Sequence, residues 1–412
     1  MSGVTQDYAV RAVRCRHEAS PDEIRARLED ATAPLARAWE KIGRARTVGI
    51  KVNMQMRAED VRRAHGRRQE LVDDEVLRAA LRLLRERTDA RLFVLDSSLV
   101  PPGRRPGPDF TMGPLLAEFG IPYVEAGDPP LERYAVPGGG LMFREYLLPA
   151  ALGRADAFVS IAKMKSHRFT GVTLCLKNLF GLPPIAPHGR ARHYFHHVVR
   201  LPRVLCDIGL VAAPCLNIVD ALVAQSGSEW NGEARVADTL IAGDHVIATD
   251  ACAAFLMGHD PGLDWPSPPY RRERSPLAVA AENGFGTTDL GKIDFESEVA
   301  SPVAAFDSIV TDPPDRVAAL RDSACEQALH YRENRERFCA RFAGKFVYLR
   351  DGDVVWSGDD PSSVHASAFS RGDDGEKVRA AWLKLVDPEE REGERFDVYE
   401  ETLRPRRLPA RA

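Results

Sequence analysis

An apolar run, Thr47-Val-Gly-Ile-Lys-Val52, precedes the segment Asp74-Glu-Val-Leu-Arg-Ala-Ala-Leu-Arg-Leu-Leu-Arg-Glu-Arg87, and a second apolar run, Arg91-Leu-Phe-Val-Leu95, follows it. Leucines at positions 77, 81 and 84 form one stripe of the middle segment, which predicts a helix between two buried strands. Such alternation is typical of βαβ units. We therefore expect an α/β fold with a mostly parallel sheet flanked by helices.

The same alternation continues along the chain. Strands are predicted at 8–15, 121–125, 156–161, 215–219 and 239–243, and helices at 21–42, 112–119, 196–213, 246–257, 277–283, 316–342 and 376–385. A Pro/Gly/Arg loop is expected at 101–108. The segment 346–356 is predicted to be a hairpin that turns at Asp351-Gly352. We expect an α/β domain over 1–290, with two lobes (1–150 and 151–290) as an alternative, and a helical and hairpin extension over 291–412.

The composition is that of an ordinary soluble protein. The 412 residues are 44% hydrophobic and 28% charged, with a net charge of −4. This charge gives no reason to expect a nucleic-acid or membrane partner. No apolar run is long enough for a membrane span and no signal peptide is evident, so a cytoplasmic location is expected. A homo-oligomer remains an open alternative.

Lysine is scarce in this chain, yet it clusters at Lys163-Met-Lys165-Ser-His167, with Lys177 close behind. Arginine is the usual cation here, so a lysine suggests a need for an amine, which can lose its proton or form an imine. A helix is predicted over 171–180, capped by Thr170 and ended by Gly181, with Thr173 and Lys177 on one edge. Its first turn, Lys165 and the neighbouring Lys51 and Asn53 would form an anion-binding pocket. The alternative is that these lysines are solvated surface residues.

Five of the eleven histidines fall between His167 and His197. His167 is predicted to be an acid/base or substrate-orienting group. His193 and His197 are four apart, which in a helix suits one metal ion. The surrounding arginines equally favour a mobile basic cover over an anionic substrate.

Three aspartates are candidate site carboxylates. Asp96 and Asp220 each follow an apolar strand, where the site of an open α/β sheet lies. Asp250 lies on a predicted helix and is either a binding residue or a buried partner of a lysine. The seven cysteines form no C-x-x-C pair, so the sequence shows no intrinsic iron–sulfur motif.

Several of these segments carry a resemblance. Val48-Gly-Ile-Lys51-Val-Asn53, Lys163 to His167, and Gly171-Val-Thr173-Leu-Cys-Leu-Lys177-Asn178-Leu-Phe-Gly181 resemble the signature of the domain-of-unknown-function 362 family. Many members carry a ferredoxin-like module, which implies redox work. The central block also distantly resembles nickel-pincer lactate racemases, which implies that Lys177 anchors a cofactor or substrate and that His167 is a ligand or acid/base group.

The leading hypothesis is an enzyme, either an oxidoreductase, an isomerase or a lyase, that acts on a small carboxylate or phosphate metabolite. His167, Lys177 and Asp220 would be catalytic. The binding residues would be Lys51, Asn53, Lys165, Thr173, Asn178, Asp96 and Asp250. One alternative is a non-catalytic binding protein or partner subunit for an anionic metabolite, and another is a metal-dependent enzyme. The cofactor is unknown, and a metal or a flavin-type group remains open.

Overall fold

A computed structural model describes residues 8–53, 56, 58–97, 111–307, 313–363 and 381–404. The strands are β1 (Tyr8–Arg14), β2 (Thr47–Val52), β3 (Arg63–Ala64), β4 (Arg67–Arg68), β5 (Arg91–Asp96), β6 (Tyr123–Glu125), β7 (Leu131–Ala135), β8 (Glu145–Pro149), β9 (Ala157–His167), β10 (Gly171–Thr173), β11 (Leu216–Ser226), β12 (Glu233–Gly243), β13 (Ile293–Ser297), β14 (Phe346–Arg350), β15 (Asp353–Gly358) and β16 (Trp382–Leu385).

The α-helices are interspersed with these strands along the chain. They are α1 (Pro21–Thr32), α2 (Ala36–Arg44), α3 (Asp74–Arg87), α4 (Gly113–Glu118), α5 (Cys175–Asn178), α6 (Arg200–Ala212), α7 (Val246–Leu256), α8 (Pro276–Glu282), α9 (Pro314–Glu333), α10 (Arg335–Phe342) and α11 (Asp397–Leu403). None of these described helices has both the length and the apolar composition that a membrane span requires.

The central sheet has the strand order β13-β1-β12-β11-β9-β2-β5-β6, and β10 pairs with β9. Its centre is parallel, because β11, β9, β2, β5 and β6 run in one direction. Strand β12 is antiparallel to both of its neighbours, β11 and β1, and the edge strand β13 is parallel to β1. The predicted α/β class with a mostly parallel sheet is confirmed, as are the added C-terminal helix and antiparallel strands.

Two apolar cores cover the faces of this sheet. One core holds Ile24 of α1 and Leu81 of α3. The other holds residues of α5 to α8 together with Phe346 and Trp382 of the C-terminal part. The C-terminal part thus shares a core with the α/β part, and the boundary at residue 290 stays a prediction.

Local signals explain most element ends. Ser20 caps α1 in a reciprocal capping box with Glu23, and Pro21 occupies the first turn. The helix predicted over 21–42 is wrong in one respect, because it breaks into α1 and α2. The helix predicted over 316–342 likewise divides at Asn334 into α9 and α10. The hairpin is confirmed, and its turn residues Asp351 and Gly352 have φ of 53° and 81°.

The lysine motif folds differently from the prediction. Strand β9 does not end before Lys163; it continues to His167. Gly171–Thr173 is not the start of a helix but strand β10, which turns back along β9 and places Thr173 opposite Lys165. Gly171 makes this reversal with φ of 74°, a conformation that favours glycine. Only Cys175–Asn178 is α-helical, and Leu179–Gly181 continues it as a 3₁₀ turn.

The remaining predictions fall partly outside the described residues. The loop expected at 101–108 lies wholly outside them. Of the helix predicted over 376–385, the described part is wrong, because Trp382–Leu385 is strand β16 paired with β14. The strand predicted over 215–219 is longer than expected and runs as β11 through Asp220 to Ser226.

Candidate functional site

A cavity of about 580 Å³ lies beyond the carboxyl ends of β2 and β5 and beside the second half of β9. This is the edge at which open α/β sheets bind ligands. The chain brings most of the predicted site residues to its lining, namely Lys51, Asn53, Asp96, Lys165, His167, Thr173, Lys177, Asn178, His193 and His197. These ten residues therefore lie around one cavity, and their roles stay a prediction.

Lys51 is held rigidly in the floor of the cavity. Its Nζ lies 2.7 Å from Oδ1 of Asp96 and donates to Oδ1 of Asn178 at 2.9 Å. The amide nitrogen of Asn178 in turn donates to the carbonyl of Lys51 at 3.1 Å and to Ser160 Oγ at 3.0 Å. Burial lowers the pKa of Lys51, and the Asp96 carboxylate opposes that shift. These bonds tie α5 to β2 and fix one charge at the base of the site.

Lys165 and Lys163 are also held by partners. Lys165 donates to Oδ1 of Asn53 at 3.2 Å and to the Glu70 carbonyl at 2.9 Å, and its Nζ lies 4.8 Å from the ring centre of Trp230. Burial lowers the pKa of Lys165 to about 8. Lys163 lies 2.9 Å from Oδ2 of Asp220, and neither side chain is accessible to solvent.

Lys177 differs from the other three lysines. Its Nζ lies 4.4 Å from the ring centre of Phe180. Within the described residues, no carboxylate and no hydrogen-bond acceptor pairs with this amine. Burial lowers the pKa of Lys177 to about 7; Glu229 opposes the shift, while Arg192, Lys165 and Lys51 add to it. A substantial fraction of Lys177 is therefore an uncharged amine at neutral pH.

His167 has a defined tautomer. Its Nδ1 accepts the backbone N–H groups of Phe169 at 3.0 Å and Thr170 at 3.2 Å. A neutral imidazole that accepts at Nδ1 carries its proton at Nε2. Burial, followed by the charges of Lys177 and Lys165, lowers the pKa of His167 well below its usual range. His167 is thus a neutral Nε2–H donor, a narrower role than the acid/base group that the sequence suggested.

Three further lining side chains carry polar atoms without partners among the described residues. Ser97 Oγ, Thr173 Oγ1 and both ring nitrogens of His197 are buried and make no hydrogen bond to any described residue. Thr173 is 7% exposed and His197 is 6% exposed. Burial lowers the pKa of His197 to about 3, and Arg200 contributes to this shift. Buried polar atoms left unpaired cost free energy, so these atoms indicate a place for a polar ligand.

Two predicted site aspartates do not line the cavity. Asp220 is fully buried, where it pairs with Lys163 and accepts the backbone N–H of Asp73 at 2.8 Å. Asp250 accepts the N–H groups of Cys175 at 2.9 Å and Leu176 at 2.8 Å. The helix start that the sequence suggested as an anion site is therefore already occupied by a carboxylate of the chain itself. Burial raises the pKa of Asp250 to about 7.

The cavity also has lining residues that the sequence reasoning missed. Glu229 and Trp230 come from the β11–β12 connection, and Phe169 and Phe180 flank the lysine segment. A tryptophan in a polar Gly-Ser-Glu-Trp-Asn-Gly loop was the available signal. Among the described residues of the lining, positive charges outnumber negative ones: there are seven lysines and arginines (Lys51, Lys163, Lys165, Lys177, Arg168, Arg192 and Arg272) and two carboxylates (Asp96 and Glu229).

Metal ligands and cysteines are sparse around this site. His193 and His197 both line the cavity, but no group of three His, Cys, Asp or Glu residues within the described ranges is arranged to hold a metal ion. All seven cysteines are free, and none of them lines the cavity. The cavity therefore offers no thiolates to an iron–sulfur cluster.

A family model for a domain of unknown function (DUF362) matches residues 48–255, which is half of the chain and includes β2, β9 to β12 and α7. The chain belongs to the DUF362 family. The Thylakoid-associated protein sll1697 of Synechocystis sp. is 28% identical to it over 193 residues. That match covers 45% of this chain and 57% of the relative. No solved structure matches the chain. All the lysines and histidines discussed above lie inside the DUF362 region.

Proposed function

We propose that this protein is an enzyme that binds a small carboxylate- or phosphate-bearing metabolite and uses Lys177 as its reactive amine. The observation that carries the proposal is the amine of Lys177, which pairs with no oxygen of the described residues, in a cavity whose described lining has more cations than carboxylates. A buried positive site attracts an anion and repels a cation. The reaction class, whether isomerase, lyase or oxidoreductase, stays a prediction.

Lys51 and Lys165 would bind the substrate, and Lys177 would react with it. Lys51 and Lys165 are fixed by Asp96, Asn178 and Asn53, so they can bind an anion without reorganising. Lys177 would take a proton from the substrate or attack it, because a substantial fraction of its amine is neutral near pH 7. His167 would donate its Nε2–H to a substrate oxygen.

The test starts from a panel of carboxylates and phosphates, with binding measured by calorimetry. Each compound that binds is then incubated with the protein in deuterated water, and NMR follows loss of its C–H signals. We expect binding and exchange with the native protein and with Lys292→Met, an exposed lysine outside the cavity. Lys177→Met should bind weakly and show no exchange. If no anion binds, the proposal is wrong.

A non-catalytic binding protein is the second candidate. The rigid cationic floor favours it, because held charges suit binding as well as catalysis. Lys177→Arg separates the two functions. A binding protein would keep its affinity and so its whole function, whereas an enzyme would keep its affinity but lose turnover.

The nickel-pincer resemblance, metal binding by His193 and His197, and a cytoplasmic location also stay predictions. For the metal, the fit is incomplete, because the described residues supply a pair of histidines and no third ligand. The proposed roles of Lys177 and His167 therefore involve no metal ion. Elemental analysis of the purified protein addresses this alternative directly.

A further inference from the structure

The four lysines of the cavity fall into two kinds. Lys51, Lys163 and Lys165 each have an oxygen partner within 3.2 Å, and two of these partners are carboxylates. Lys177 has only an aromatic ring beside it among the described residues. A lysine kept merely for its charge could be an arginine, which this chain uses far more often. The position therefore requires an amine.

A carbonyl group would find a donor in the same cavity. His167 offers Nε2–H, since its Nδ1 is engaged by Phe169 and Thr170. A neutral imidazole donor polarises a carbonyl without adding a further charge to an already cationic site. Thr173 Oγ1, buried and without a partner among the described residues, is a second donor for a ligand oxygen.

Apolar side chains in the walls of the cavity favour a ligand with an apolar part. Phe169, Phe180 and Trp230 line it together with Val198 and Leu320. Phe169 lies under the guanidinium of Arg272, 4.4 Å from the ring centre, so its ring is held in place. A volume of about 580 Å³ exceeds what a three-carbon acid would fill. A flat apolar tail fits these surfaces.

From these three observations we propose that Lys177 forms an imine with a 2-oxo carboxylic acid that has an aromatic tail. This inference rests on the proposed function and names its substrate class. The amine of Lys177 adds to the ketone carbon and gives a carbinolamine. The two N–H hydrogens then leave with the former carbonyl oxygen as water, and a C=N bond remains. Lys165 and Lys51 would hold the carboxylate, and His167 would donate to the oxygen that departs.

The experiment compares phenylpyruvate with phenyllactate, which has the same ring and carboxylate but no ketone. Each is incubated with the full-length protein and sodium cyanoborohydride, and the adduct is located by peptide mass spectrometry. We expect a reduced secondary-amine adduct on Lys177 with phenylpyruvate and none with phenyllactate. Lys177→Arg should lower the adduct to background, while Lys292→Met should label like the native protein. Circular dichroism confirms that each variant is folded.

Calorimetry with the same two acids distinguishes a failure of the imine proposal from a failure of the proposed function. If both acids bind and no adduct forms on Lys177, the imine is overturned and the proposed function stands. The imine is equally overturned if the adduct persists in Lys177→Arg. If neither acid binds and the wider panel of anions also fails to bind, the proposed function itself falls.

Discussion

Lys163 Nζ lies 2.9 Å from Oδ2 of Asp220, and both side chains are completely inaccessible to solvent. The two residues are opposite each other in the parallel register of β9 and β11. Their ion pair thus joins two neighbouring strands in the middle of the sheet, next to the cavity that Lys163 helps to line. The sequence suggested Asp220 as a proton-transfer group, whereas its position makes it the anchor that neutralises a buried lysine.

Removing one partner of this pair should be severely destabilising. Asp220→Ala leaves Lys163 buried without a counter-charge, which typically costs about 3–5 kcal/mol. Chemical denaturation measures the loss. The double variant Lys163→Met/Asp220→Leu should recover most of it, because no charge is then buried. Glu400→Gln, which breaks a half-exposed pair with Arg332, is the control and should change stability by less than about 1 kcal/mol. Equal effects at both sites would contradict this account.

Lys177→Met should make the protein more stable while abolishing its function. The pKa of Lys177 is about 7 in the native state against an ordinary lysine value of 10.5, so between these values the unfolded chain binds a proton that the native chain does not. Protonation of this lysine therefore stabilises the unfolded state increasingly as the pH falls from 10.5 to 7, which lowers the free energy of unfolding. Replacing the lysine with methionine removes this loss of stability. We expect a gain on the order of 4 kcal/mol at pH 7, because each pH unit between the two pKa values contributes about 1.4 kcal/mol, and almost no gain at pH 10.5. Thermal unfolding at the two pH values measures it, and a loss of stability at pH 7 would refute the assignment.

The pH dependence of adduct formation should report the same group. The neutral amine is the nucleophile, so the trapping rate should rise with pH through an apparent pKa near 7 and level off above it. Binding of phenyllactate should move the other way and weaken above pH 7, since the protonated amine attracts the carboxylate more strongly. A trapping rate that still rises steeply between pH 8 and 10, where ordinary lysines titrate, would show that another amine reacts.

Gly181→Ala should damage the floor of the cavity. A Cβ at this position would lie 2.7 Å from Nζ of Lys51 and 2.8 Å from Oδ1 of Asp96, so it would push the two apart. Overpacking of this kind costs about 1–3 kcal/mol. We expect lower stability together with weaker anion binding, measured by thermal unfolding and calorimetry. Gly284→Ala is an informative comparison, because a Cβ there meets no atom within 4 Å although its φ of +73° still imposes backbone strain. If Gly181→Ala left anion affinity unchanged, Lys51 would not be part of the binding floor.

The sequence predicted the α/β class, the strands β2 and β5, helix α3 and ten of the residues that line the cavity. The fold predictions succeeded because apolar periodicity is a local property, and the ten residues could be grouped because the carboxyl ends of neighbouring parallel strands meet at one edge. Lys51, Lys165 and Lys177 could be grouped for that reason alone.

What the sequence reasoning missed depends on distant partners. Strand β9 continues through two lysines because Asp220, Asn53 and the Glu70 carbonyl satisfy them. A strand with buried lysines looks like a loop until its partners are known. Asp250 was predicted to be a binding residue or a buried partner of a lysine, because its two backbone donors lie 75 and 74 positions away in sequence and could not be foreseen.

Arg200 follows the histidine-rich segment directly and is completely buried, and its guanidinium donates to Oε1 of Glu394 at 2.8 Å and to the carbonyl of Leu383 at 2.7 Å. A ribosome making this chain must therefore release nearly two hundred further residues before Arg200 meets its counter-ion. Until then Arg200, three residues after His197, lacks the carboxylate that neutralises it, so the last ion pair beside the site forms after the sheet has been made. A nascent chain stalled before Glu394 would present a finished sheet and an unfinished cavity.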